Sequence, residues 1–282
     1  MRTIDKCSIL EEKYTLQSVF LQREVEVDFY LPPLLNEAVP YTLLLINDGQ
    51  LMNEMGLAPI LEYFSCQKQM STVVCVAIHA GKEREMEYGI AAQADYLGRG
   101  ARAGSYTSFI LNELLPFIYN KFSSYQFLEK TIAGFSLGGL MALDIVWSHP
   151  DVFSKAGVFS GSFWWRSMDQ EDKSYDDNKH RIMHQQIRSD RFKPGLKFFF
   201  QCGNKDETRD RNQNGIIDSI DDTCDLVKEL VQKGYDPIQD IFYLELKDGL
   251  HDTNTWAKAF PEFLKWLGVT NYISKLVLKA PA

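Results

Sequence analysis

The chain is 282 residues long, 45% hydrophobic and 24% charged, which is the composition of an ordinary folded protein with ample length for a buried core. Thirty basic residues against thirty-eight acidic ones leave a net charge of −8, a field that repels phosphate backbones and anionic lipid, so neither nucleic acid nor membrane is expected as a partner. No run of about 18 apolar residues occurs and MRTIDKCSILEEKY lacks the apolar stretch of a secretory signal, which together point to the cytoplasm.

In chain order, Tyr14 to Phe20 and Glu24 to Leu31 read as a hairpin stopped by Pro32-Pro33. Tyr41 to Ile46 and Thr72 to Ile78 are apolar runs of strand length without polar alternation, as expected of strands covered on both faces. Leu57 to Phe64 between them is helical. Tyr106, Ile110, Leu114 and Ile118 mark a second helix, and Thr131 to Ala133 with its neighbours a further strand. Leu137 to Trp147 is helical, Ala156 to Phe159 and Leu196 to Gln201 are strands, Ile220 to Val231 is helical, and Ile241 to Leu246 closes the strand series. The last helix runs from Thr253 to Leu267, where Pro261 predicts a break or kink. Strands alternating with helices predict a single α/β domain over 1–282, with a mostly parallel, doubly wound sheet and an antiparallel N-terminal hairpin. Sites in such sheets lie at the C-terminal ends of strands.

Five cysteines, an odd number at wide spacings, form no CxxC pair for zinc or thiol exchange, and Cys75 and Cys202 fall inside apolar runs.

The sharpest signal is Gly134-Phe135-Ser136-Leu137-Gly138-Gly139. It follows the strand KTIAG and opens the helix LMALDIVW, the strand–turn–helix context of a GxSxG nucleophile elbow. A serine in that turn presents its hydroxyl above the sheet, and the helix N-terminus favours negative charge forming beside it. Ser136 is therefore the expected nucleophile. Of the five histidines, His251 follows the last strand in KDGLHDTNTW and is the expected base. His79 ends a strand, and His149 is expected at helix C-terminal carbonyls. His180 and His184 share one face of a polar stretch and are expected to be solvated. The third member should be a carboxylate in FFFQCGNKDETRDRNQNG, with Asp206 preferred and Glu207, Asp210 and Asp218 as substitutes. An oxyanion hole would use the Leu137 N–H and one from Asn47-Asp48-Gly49-Gln50, with Gln50 the specific choice and Gly49 allowing a tight turn.

At these residues the chain resembles the esterase D and enterochelin-esterase-like group of α/β-hydrolases. LLLINDGQ is similar to that group's strand and HDGQ loop, with Asn47 in place of the usual histidine. ELLPFI at Glu113 to Ile118, GFSLGG, FSGSFWW at Phe159 to Trp165 and the GxxD of Gly203 to Asp206 also match, so the likeness runs from about residue 14 to 268. It implies the α/β-hydrolase fold and a Ser-His-acid carboxylesterase, carrying the roles onto Ser136, His251, Asp206, Gln50 and Leu137. Group members that transfer acyl groups to sugars leave an acyltransferase as the rival enzyme. A non-catalytic ligand-binding scaffold is the rival from outside enzymes.

Secondary features fill in the site. Phe163, Trp164 and Trp165 follow a strand end and are expected to wall the substrate, with Arg99 (and its neighbours Arg84 and Arg102) meeting an anionic group. The stretch Asp169 to Asp177 reads as a solvated insertion. Asp210, Asn212, Asn214, Ile216 (through its carbonyl), Asp218 and Asp221 sit at the ligand positions of a calcium loop, with Gly215 at the turn. Position 12 is Asp instead of the usual Glu, and a strand precedes the loop. Catalysis itself needs no cofactor. The expected partner is a small-molecule ester, and a homodimer is compatible with the chain.

Overall fold

The computed structural model describes residues 8–33, 35, 37, 40–67 and 72–268. Its eight strands are β1 (Leu10–Ser18), β2 (Arg23–Leu31), β3 (Tyr41–Asn47), β4 (Thr72–Ile78), β5 (Phe127–Phe135), β6 (Lys155–Phe159), β7 (Lys197–Lys205) and β8 (Ile241–Leu250). They form one sheet in the order β1-β2-β4-β3-β5-β6-β7-β8. The β1–β2 and β2–β4 pairs are antiparallel, and every pair from β4 to β8 is parallel. This is the α/β-hydrolase arrangement expected above.

The helices are α1 (Leu57–Gln67), α2 (Arg84–Glu87), α3 (Ala103–Phe109), α4 (Leu115–Lys121), α5 (Leu137–Ser148), α6 (Asp177–His180), α7 (Ile182–Ser189), α8 (Asp218–Lys233) and α9 (Thr253–Gly268). A π-helical turn, Ile110–Leu114, joins α3 to α4. Strand residues alternate between two cores. Leu43, Leu45 and Ile132 face the side covered by α3 to α5, α7 and α8. Leu44, Ile46, Ala133 and Phe135 face α1 and α9. Covering both faces explains why these strands lack polar alternation.

Three expectations shift. The hairpin strand begins earlier and ends at Ser18, because Val19 and Phe20 lie in the turn, with Val19 81% exposed. The strand at Thr131 to Ala133 extends to Phe127–Phe135. Most clearly, Pro261 does not break the last helix, which is continuous from Thr253 to Gly268. A proline removes one backbone hydrogen bond, whereas Trp256, Phe260, Phe263 and Leu264 of that helix are all buried against the sheet. Phe263 alone makes ring contacts with Phe159, Phe199, Phe260 and Trp266. Cys75 and Cys202 are buried free thiols, as their apolar surroundings indicate, while Cys66 is disulfide-bonded. Among the described residues no helix is long and apolar enough to cross a membrane.

Candidate active site

Strand β5 delivers Ser136 one residue past its end, and α5 starts one residue later. Ser136 itself carries φ 54° and ψ −120°, outside the regions a serine ordinarily occupies. The surroundings enforce that conformation. A Cβ at Gly134 would stand 2.2 Å from the Gly138 carbonyl oxygen, and one at Gly138 would stand 2.5 Å from Asp48 Oδ2. Only glycines let the strand, the turn and the helix approach this closely. Ser136 is partly exposed, and its Oγ lies 3.2 Å from Ser162 Oγ. The Ser162 N–H also donates to the Ser136 carbonyl at 3.2 Å.

The loop after β3 meets this turn from the side. Asp48, in a left-handed conformation (φ 63°), is buried and takes a two-pronged ion pair from Arg84, at 2.6 and 2.8 Å. Arg84 reaches on to the Phe135 carbonyl at 3.4 Å. Arg84 is thus committed within the protein instead of waiting for an anionic substrate group, and Arg102 donates to the Leu21 carbonyl. The left-handed residue is Asp48, not Gly49. Gly49 is needed for a different reason: a Cβ there would lie 2.7 Å from the Ala77 carbonyl carbon of β4. Gln50 lies in a three-residue 3-10 turn, Gly49–Leu51, and Leu137 opens α5, places where backbone N–H groups have no helical acceptor. The Gln50 side chain is tied down through Oε1, which accepts the Ala80 N–H at 3.0 Å.

Strands β7 and β8 bring the other two residues together. A Cβ at Gly203 would stand 2.4 Å from the Gly249 carbonyl oxygen, so the two strand ends touch just where the loops of Asp206 and His251 leave the sheet. The Asp206 carboxylate accepts the Gly203 N–H at 3.1 Å. Burial pushes its pKa up, against the pull of that N–H, the Ser160 hydroxyl and the charge on His251. His251 opens to solvent on one side, yet desolvation is the largest influence on it and draws its pKa below the ordinary 6.5; Asp206 opposes the shift and Arg84 adds to it. Among Asp206, Glu207, Asp210 and Asp218, Asp206 is the acid whose charge acts on His251. Trp256 packs edge-on to the His251 ring at 5.3 Å and donates from Nε1 to Ser160 Oγ at 3.0 Å. Ser160 and Ser162 were not singled out above. Their position directly after β6, a strand neighbouring both β5 and β7, is the signal that would have found them.

The aromatic wall needs correction. Phe163 and Trp165 are wholly buried, Trp165 against Gly89 and Gly100 and Phe163 against Phe200. They are packing residues, because apolar rings at a strand end find the core before they find solvent. Trp164 alone of the three lines a cavity of about 480 Å³, together with Tyr96, Arg99, Arg166, Glu207 and Arg209. The Arg99 guanidinium lies 4.9 Å over the Trp164 ring and is paired with Asp95. The cavity adjoins the loops that carry Ser162 and Asp206.

Two further expectations change. His184 is buried, bonded through Nε2 to the Asp222 carbonyl, and desolvation lowers its pKa to about 3; His180 Nδ1 accepts the Asp176 N–H. They make no solvated pair, because α7 turns His184 inward against α8. The acidic insertion is anchored as well. Asp177 pairs with Arg211 at 2.9 Å, and Arg181 and Arg211 share the buried Asp222.

In the loop 210–221, Asp210 accepts the N–H groups of Asn214 and Gly215, and Gly215 is left-handed (φ 83°). The side chains of Asn212 and Asn214 converge on Asp221 Oδ2 at 2.9 and 2.8 Å. Asp218 instead pairs with Arg211 at 3.3 Å, and Ile216 is exposed. Among the described residues no group of three or more His, Cys, Asp or Glu is placed to hold a metal. The oxygen-bearing side chains of Asp210, Asn212, Asn214 and Asp221 thus lie together at calcium-loop positions, whereas Asp218 departs from the pattern by pairing with Arg211.

A family profile described as "Esterase: Putative esterase" matches residues 18–267. The chain belongs to the Esterase family. That family is described as one of esterases, and the resemblance drawn from the chain's motifs holds. YbbA of Bacillus subtilis (strain 168), named as an uncharacterized protein, is 25% identical over 244 residues, covering 84% of this chain and 90% of YbbA. Among solved structures, the enterobactin esterase FES from Shigella flexneri, crystallised in the presence of enterobactin, superposes with a TM-score of 0.71 at 18% identity. That match covers 92% of this chain and 58% of the Shigella protein, so the chain spans well under two thirds of that enzyme. The siderophore hydrolase EstB from Aspergillus nidulans gives 0.69 at 15% identity, covering 94% and 97%. At these identities the structures establish the shared fold.

Proposed function

We propose that this esterase works through an acyl-serine on Ser136, with His251 as base and Asp206 orienting the imidazole. The observation that carries the reading is the backbone of Ser136, held at φ 54° at the head of α5 with its side chain partly exposed. Strain of this kind persists only where the surroundings over-determine it, and it gathers at functional sites. His251 takes the Ser136 proton as Oγ attacks the ester carbonyl carbon. The N–H groups of Gln50 and Leu137 would receive the oxyanion. The C–O bond to the alcohol then breaks, and the imidazolium returns its proton to the departing oxygen. Water, giving its proton to His251, attacks the acyl carbon, releases the acid and restores the serine.

The cavity beside Trp164 is walled by Arg99, Arg166 and Arg209 as well as acids, which supports a small ester with polar groups over a long aliphatic one. Enterobactin, present in the Shigella structure, is one ester of that kind to try. Ser136→Ala should reduce hydrolysis of p-nitrophenyl acetate by about a million-fold; residual turnover within about tenfold of wild type would contradict the assignment.

The pH profile gives an independent check. His251 must be neutral to act as base, and its pKa lies below the ordinary 6.5. Activity should therefore persist as pH falls to 6.5 and drop only below it, as the imidazole takes up its proton. An acidic limb of kcat/KM centred above 6.5 would show another group in control.

For the loop 210–221 we propose calcium as a stabiliser of the segment following Asp206, held by Asp210, Asn212, Asn214 and Asp221 with the Ile216 carbonyl, and with no part in bond making. Calcium chloride should raise Tm above that in EDTA, and Asp221→Ala should abolish the rise. Identical melting in the two buffers would remove the proposal.

A further inference from the structure

Asn47 is the last residue of β3 and is completely buried. Buried amides are satisfied on both ends or are costly, and this one is satisfied in an informative way. Its Nδ2 donates at 2.8 Å to the carbonyl of Gly138, two residues past Ser136. Its Oδ1 accepts the hydroxyl of Tyr106 at 2.7 Å. Tyr106 is itself buried, edge-on to Tyr88 with ring centroids 4.9 Å apart, and the Tyr88 hydroxyl receives the Asp48 N–H at 3.3 Å. The amide can be oriented in one way only, because the Gly138 carbonyl needs a donor and the Tyr106 hydroxyl, donating, needs an acceptor.

The placement of these contacts matters more than their number. The two N–H groups proposed for the oxyanion come from separate elements, Gln50 from the loop after β3 and Leu137 from α5. The ladder between β3 and β5 ends at Ile46 and Ala133, before either of them. Beyond that point, among the described residues, two side-chain links bridge the elements. Asp48 reaches the Phe135 carbonyl through Arg84, on the strand side of Ser136, and Asn47 reaches the Gly138 carbonyl on its helix side. The Asn47 link is direct, short and dry.

We infer that Asn47 is a positioning residue that sets the spacing of the Gln50 and Leu137 N–H groups by clamping the β3 loop onto the first turn of α5, with Tyr106 fixing the orientation of its amide. This rests on the proposed roles of Ser136, Gln50 and Leu137. An oxyanion hole acts on the transition state far more than on the bound ester, so loosening it lowers kcat and leaves KM nearly unchanged.

The test compares wild type, Ser136→Ala, Asn47→Asp and Tyr106→Phe on p-nitrophenyl acetate, with folding followed by circular dichroism. Asn47→Asp keeps the size and the acceptor but loses the donor while ionised. At pH 8 its kcat should fall by about ten- to a hundredfold, somewhat less than deletion of an oxyanion donor, with KM within about threefold. As pH falls the protonated carboxyl regains a hydrogen to donate to Gly138, so the ratio of variant to wild-type kcat should rise. Tyr106→Phe keeps the ring and removes the hydroxyl, and should lower kcat by a smaller factor, again at constant KM. If Asn47→Asp does not fold, the Tyr106→Phe result decides. Folded variants with kcat within about twofold of wild type, or with the loss confined to KM, overturn the inference. Loss in Ser136→Ala alone would overturn this inference and leave the serine mechanism standing, whereas activity in Ser136→Ala would remove the mechanism beneath it.

Discussion

The strand-to-helix turn at Ser136 is the constraint on which the rest of the site depends. A non-glycine residue at φ 54° and ψ −120° is stable only because its neighbours leave no alternative. Gly134 and Gly138 are pressed together from within the turn, Asp48 is pressed against Gly138 from the side, and the Ser162 N–H holds the Ser136 carbonyl from the loop after β6. Each contact lies at or near the end of a sheet strand. The sheet acts as a rigid jig, and the serine hydroxyl projects where several strand ends converge.

Electrostatics follow from the same convergence. Bringing β7 and β8 into contact at Gly203 and Gly249 places a half-buried carboxylate near an imidazole that opens to solvent. Desolvation opposes charge on both, raising the acid and lowering the base, while their mutual attraction favours charge on both. The balance leaves a histidine that is neutral near pH 7 with an acid beside it, the state a general base requires. Arg84, one of the arginines considered for an anionic substrate, belongs to this balance: it neutralises the buried Asp48 and discourages positive charge on His251.

Much of this was legible in the residues. The GFSLGG turn between an apolar strand and an apolar helix marked Ser136, because few other arrangements need glycines at those spacings. The order of strands marked the loops of Asp206 and His251. The illegible parts share a physical reason: a one-dimensional pattern does not say which face a side chain takes when apolar surface is available on both. Phe163, Trp164 and Trp165 are adjacent, yet two are buried and one lines the cavity. His184 reads as a polar-stretch residue until α8 is packed over it, and Pro261 reads as a helix breaker until the burial around it is seen. Asn47 reads as a departure from its family's loop, although its amide is satisfied on both sides.

The central claim is that Ser136 is an activated nucleophile, and covalent labelling addresses it without assuming a substrate. Wild-type protein treated with a fluorophosphonate and analysed by intact-mass and peptide mass spectrometry should carry one adduct per chain, located on Ser136. Absence of an adduct from folded protein, or an adduct at any other residue, would contradict the account.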